Sequence, residues 1–141
     1  MIRFANKYDN NKIIELMKDF AIKSNNSMTY NPLVWSKTYI EQILATLYAG
    51  HGFVLIDDKQ TGILIAAKTE SFWLKDVFQL QEVMLHGYNK FVITKLIKEY
   101  VKIAKEMLDE NQIQQAIMSS NNNVKFERYG MIKLEQHWEI K

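Results

Sequence analysis

The chain has 141 residues, 48% of them hydrophobic and 24% charged, which points to one globular domain able to bury its own core. It contains no cysteine, which excludes a disulfide framework, a thiolate nucleophile and a cysteine zinc site, and fits a reducing, cytoplasmic compartment. The net charge of +2 gives no argument for nucleic acid, no apolar run approaches the ~20 residues of a membrane span, and "MIRFANKYDNNK" has no stretch of signal-peptide type.

Residues 1–5 read as a short strand. In "DNNKIIELMKDFAIKS", Ile13, Leu16, Met17 and Phe20 recur at helical spacing, and Asp9 or Asn10 can cap the start. The polar "NNSMTYNP" reads as a loop. Ser36 is a suitable N-cap for "KTYIEQILATLYAG", which places Ile40, Ile43, Leu44 and Leu47 on one face and Gly50 at its end. "GFVLIDD" and "TGILIAAKTESF" are β-rich runs joined as a hairpin, and "VFQLQEVML" is the next strand. "NKFVITKLIKEYVKIAKEML" is the longest helix, with Ile93, Leu96, Ile97, Tyr100, Val101, Ala104 and Met107 facing inward. "IQQAIMSS" reads as a buried strand, "NNNVKFERYG" as a short helix capped by Asn and closed by Gly130, and "IKLEQHWEI" as a last strand. The order β-α-α-β-β-β-α-β-α-β pairs a hairpin with a strand-helix-strand crossover. It predicts an α/β domain with a mixed sheet and helices on both faces.

That order, over nearly the whole chain, resembles the GNAT N-acetyltransferase fold, so residues 1–141 read as a single GNAT-like domain. "GFVLIDDKQTGILIAA" resembles the family's hairpin, in which D-G-x-x-x-G often marks the turn. "SNNNVKFERYGMIKLEQHWEI" resembles its closing segment, with Gly130-Met131 in the place of G-F. "FWLKDVFQLQEVML" resembles small acetyltransferase-like proteins of tailed phages.

The resemblance implies a cofactor, acetyl-CoA, at the junction "VMLHGYNKFVITKLI". In the family, pantetheine pairs with the splayed fourth strand and pyrophosphate sits on the helix N-terminus, where free N–H groups and the helix dipole favour an anion. Carried over, the backbones of Val83 and Met84 would hold pantetheine, and Tyr88, Asn89, Lys90, Phe91, Val92 and Ile93 would take the pyrophosphate. The pattern R-x-x-G-x-G/A places Tyr88 near the arginine, Phe91 at the first glycine and Ile93 at the second, so bulk replaces open backbone there while Lys90 and Lys95 bring charge. A strand glutamate often serves as base, and Glu82 stands at that place. The usual tyrosine acid is matched by Phe126, which has no hydroxyl, and Tyr129 falls in a core register.

Two functions follow. The first is transfer of an acetyl group from acetyl-CoA to a small-molecule or protein amine, with Glu82 as base. The second is an inactive GNAT-fold protein, a phage virion or host-interaction component whose partners are phage structural proteins, located in the virion or the host cytoplasm. Strand alternation would put Glu82 and Met84 on one face and Val83 and Leu85 on the other, with Glu82 turned to the cleft or to solvent. Each candidate also has a plain structural reading. Glu82 can be a solvated strand residue, His86 a turn residue, His51 a partner of a helix dipole and His137 a cross-strand packer. The three histidines have no metal-ligand spacing. Trp35, Trp73 and Trp138 suit a ligand cleft or, more often, partly buried core. Lys95, Lys98, Lys102 and Lys105 form the solvated face of their helix.

Overall fold

Strand β1 (Ile2–Phe4) pairs antiparallel with β2 (Gly52–Asp57), β2 with β3 (Gly62–Glu70), and β3 with β4 (Phe78–Gly87). Strand β5 (Gln115–Ile117) then joins β4 in parallel, so the sheet order is the chain order, β1-β2-β3-β4-β5. This computed structural model describes residues 1–23, 35–119, 124–135, 138 and 140. Helices α1 (Asn10–Lys23) and α2 (Lys37–Thr46) lie between β1 and β2, and α3 (Lys90–Asp109) crosses from β4 to β5.

The two faces of the sheet carry separate cores. Ile13, Leu16, Ile40 and Leu44 of α1 and α2 pack on Val54, Ile56, Ile63, Ile65 and Met84. On the other face, Leu96, Ile97, Tyr100 and Ala104 of α3 pack on Phe53, Leu55, Leu64, Ala66, Leu80 and Leu85. β2 and β3 are buried on both faces, which is why their sequence is continuously apolar and does not alternate.

Local chemistry sets the ends of the elements. Ser36 caps α2 by accepting from the Tyr39 N–H at 3.2 Å, and the π turn Leu47–His51 that continues α2 breaks where Gly50 takes φ +110. The start of α1 differs from expectation. Asn6, not Asp9 or Asn10, is the cap, and it opens a 3-10 turn (Lys7–Asp9) that runs into the helix. Asp9 closes that capping box and pairs with Arg3 at 2.8 and 2.9 Å, so its carboxylate is already engaged. In the β2–β3 hairpin, Asp57 accepts from the N–H groups of Thr61 and Gly62 and from the Thr61 hydroxyl at 2.7–2.9 Å, holding a turn with no glycine at its tip.

The closing segment departs most from the reading of its sequence. The expected short helix contracts to one 3-10 turn (Phe126–Tyr129) closed by Gly130 at φ +80, and its asparagine cap lies outside the described residues. Residues 131–135 form no strand, and positions 136, 137, 139 and 141, His137 among them, also lie outside the description, as does the 25–32 loop. Of the tryptophans, Trp35 packs against the α1–α2 core, whereas Trp73 and Trp138 are each 84% exposed and line no core.

Candidate active site

The site is built where β4 leaves β5. The parallel ladder pairs Gln79, Leu80 and Gln81 with Gln115, Ala116 and Ile117, and it ends there among the described residues. Beyond Gln81, β4 continues to Gly87 with β3 alone beside it among the described residues, which leave the other edge of its backbone open.

A bulge governs which groups face that opening. Ile65 pairs with Met84 and Ala66 with Glu82, so Val83 has no partner in β3. Before the bulge, the Val77 carbonyl accepts from Ser71 on the β3 side and the Phe78 carbonyl accepts from Gln114 on the β5 side. After it, the Tyr88 N–H donates to Thr61 on the β3 side. Backbone direction alternates along a strand. The Met84 backbone therefore turns to β3, and the Leu85 backbone turns to the open edge.

The bulge also overturns the expected division of faces. Glu82 and Met84 do not share a face. Glu82 lies with Leu80 and Leu85 on the α3 side, Met84 and His86 lie on the α1 side, and Val83 is 60% exposed. Glu82 is neither in solvent nor solvated: it is 3% exposed, with the Ser119 N–H donating to its Oε1 at 3.3 Å. Burial pushes its pKa up to about 8, against a smaller lowering by the Ser119 amide. The carboxyl is thus largely neutral at pH 7.

Tyr100 of α3 closes the same corner. It is 2% exposed, its hydroxyl donates to the Ile117 carbonyl at 2.6 Å, and the Leu80 carbonyl lies 3.4 Å away. Burial, then the nearby Glu82 charge, raises its pKa. A cavity of about 610 Å³ opens between α3, β5 and residues 124–135, with Tyr100, Ile117, Ser119 and Phe126 in its wall.

The junction with α3 comes next. Asn89 caps the helix, its side chain accepting from the Val92 N–H at 3.0 Å. The N–H groups of Lys90 and Phe91 have no partner among the described residues and remain available to an anion. Phe91 is 81% exposed, so its ring points away and does not plug the junction. Val92 fills the space instead. It packs so closely that a Cβ at Gly87 would stand 2.5 Å from its Cγ1. Ile93 packs partly against the α3 core. Tyr88 is half exposed, and Lys23 of α1 lies over its ring, 5.5 Å from the centroid.

On the opposite face of β4, His86 is 8% exposed, with Nε2 2.6 Å from Asp19 Oδ2, and Lys23 holds the same carboxylate at 3.1 Å. Burial alone would raise the pKa of Asp19, but these two partners outweigh it and lower it. His86 is thus a buried, paired side chain and not a free turn residue. Among the described residues, no three His, Asp or Glu side chains are grouped to hold a metal ion, and no helix is long and apolar enough to cross a membrane. His51 is exposed at the end of the turn that follows α2.

Sequence reasoning named Glu82 and the junction as candidates and read Leu85 and Tyr100 only as core positions, whereas Leu85 stands beside the bulge and Tyr100 beside Glu82. A signal for the bulge was present. Leu80 and Leu85 are five residues apart, an odd spacing, and can share a face only across a bulge.

The same fold recurs in solved structures. An acetyltransferase of Trypanosoma brucei superposes over 100% of this chain and 98% of its own, with a TM-score of 0.70 and 11% identity. Glucosamine-6-phosphate N-acetyltransferase of Arabidopsis thaliana matches over 100% and 97%, with a TM-score of 0.67 and 13% identity. This is the fold of the GNAT N-acetyltransferases. A Clostridium acetobutylicum GNAT-fold protein, described as a predicted acetyltransferase and solved with acetyl-CoA, matches over 100% and 95%, with a TM-score of 0.66 and 14% identity. No family model and no curated protein matches the sequence.

Proposed function

We propose that the chain is an acetyl-CoA-dependent N-acetyltransferase acting on an amine. The observation that carries the reading is the parting of β4 from β5 beside a buried carboxyl and an anion-accepting helix end. The residues present suit the cofactor. The bulged Val83 and the outward Leu85 backbone would pair with an extended amide chain such as pantetheine, in place of the Val83–Met84 pair named from the sequence. The Lys90 and Phe91 amides, with the Lys90 charge, would receive pyrophosphate between Tyr88 and Ile93.

Acetyl-CoA supplies the acetyl group, and this chain's residues orient it and move the proton. In this reading Glu82 would take the proton from the attacking amine. A carboxyl with a pKa about 8 is a stronger base once ionised, but it is ionised in quantity only at alkaline pH. The acetylation rate should therefore climb through about pH 8. Phe126 is partly buried and brings no hydroxyl to protonate a thiolate, which supports the second reading, an inactive GNAT-fold protein serving phage structural or host partners.

Calorimetry and thermal unfolding with acetyl-CoA at millimolar concentration separate the two. A Kd a hundred times below that concentration would raise stability by about 2.7 kcal/mol. The absence of both heat and a shift in Tm would overturn the enzyme reading and leave the inactive one.

A further inference from the structure

We propose that Tyr100 is a positioning residue that fixes where β4 and β5 part and thereby holds Glu82 in its buried place. The alternation of the ladder turns the backbones of Phe78, Leu80 and Glu82 toward β5. Continued in register, the next bond would run from the Ser119 N–H to the Glu82 carbonyl. That bond is not made. The Ser119 N–H goes to the Glu82 side chain instead, at 3.3 Å. One step earlier, the Tyr100 hydroxyl donates to the Ile117 carbonyl at 2.6 Å, lies 3.4 Å from the Leu80 carbonyl, and is faced by the Glu82 backbone N–H.

A single side chain from α3 thus binds both strands at their last shared step. The ring is held from behind by the Phe53 ring, with centroids 6.3 Å apart. A hydroxyl fixed to a packed helix is a rigid anchor, because its only freedom is rotation about the C–O bond. With the last step pinned, Ser119 stays over Glu82 and water stays out. Among the described residues no charged side chain pairs with Glu82, and Tyr100 and the Ser119 amide are the groups that face it.

The consequence for the cofactor rests on the acetyltransferase reading, and the consequence for Glu82 does not. The test is Tyr100→Phe, which keeps the ring and removes the hydroxyl. Carbon-detected NMR should show the Glu82 carboxyl titrating at least one pH unit lower than in the wild type, with exchange of the Ser119 amide at least tenfold faster. A merely structural loss of one hydrogen bond would lower Tm and move neither. Unchanged titration and exchange overturn the proposal, whatever happens with acetyl-CoA. If the wild type binds acetyl-CoA, the variant should bind it about tenfold more weakly, and equal affinity also counts against the proposal. If the wild type does not bind, the enzyme reading falls and the NMR result still decides on Tyr100. Should the variant not fold, the wild type suffices. Its Tyr100 hydroxyl proton should be observable, slow to exchange and close to the Glu82 amide proton, and a freely exchanging hydroxyl overturns the anchor.

Discussion

Two buried carboxylates, Asp9 and Glu82, show how surroundings decide the sign of a group's contribution. The hydrogen bond from Arg3 holds the Asp9 pKa down to about 2 against the cost of burial, so its stabilisation is present above the usual carboxylate range and is lost as pH falls toward 2. Glu82 has no such partner among the described residues, and its pKa rises from 4.5 to about 8. The folded state then holds a proton that the unfolded chain has released. The contribution of Glu82 is complete below about pH 4.5, drains away as pH rises to about 8, and is level above that. Replacing it by Gln keeps an acceptor for Ser119 and removes the titration. Glu82→Gln should therefore gain stability over the wild type as pH rises from 5 to 9, by an amount on the order of 4 kcal/mol at 1.36 kcal/mol per pK unit. Urea unfolding at several pH values measures it. A parallel pair of stability curves would show that Glu82 is solvated after all. The sequence marked Glu82 as a candidate, but it could not tell a solvated carboxylate from a buried acid. That difference comes from Tyr100 and Ser119, which are 18 and 37 residues away in the chain and are brought there by the crossover.

Helices and strands were legible wherever their apolar residues kept an unbroken period. α3 runs from Lys90 to Asp109, within one residue of its sequence boundaries, because one face repeats without interruption and Asn89 gives a clear start. β4 was found as an element but misread inside. Alternation assumes one residue opposite one residue, and the bulge at Val83 reverses it for everything that follows. The sequence "IKLEQHWEI" reads as a closing strand, yet Ile132 and Leu134 within it are 82% and 61% exposed and no described strand lies beside them. The turn between β4 and α3 depends on a small residue where they meet. Gly87→Ala would press a Cβ against Val92 and Ile93, at 2.5 and 3.1 Å, and should cost about 1–3 kcal/mol in urea unfolding. An unchanged midpoint would mean that α3 sits farther from β4 than described.

At the scale of the whole molecule, the order of elements carried the fold. A hairpin followed by a crossover leaves few ways to cover both faces of one sheet. The site was less legible, because it is defined by where two strands separate, and no local pattern records the end of a ladder. Both cores rest on the same strands, with Val54 and Ile56 facing one helix layer and Phe53 and Leu55 the other. Neither layer should melt without the other. Heating should give one transition, with coincident loss of helical circular dichroism and of tryptophan fluorescence. Two separated steps would show that the layers are independent.

Because the strands lie side by side in the order in which they are synthesised, the neighbour on which each later strand pairs has already been made when that strand leaves the ribosome. The hairpin of β2 and β3 pairs within itself but needs α3 to cover its second face, β4 adds to its edge, and α3 must fold back before β5 has a place. The corner that holds Glu82 is therefore closed only after β5 has been made. Until β5 and Ser119 arrive, that carboxyl stands in water as an ordinary acid, and it becomes a buried one only when the sheet is finished.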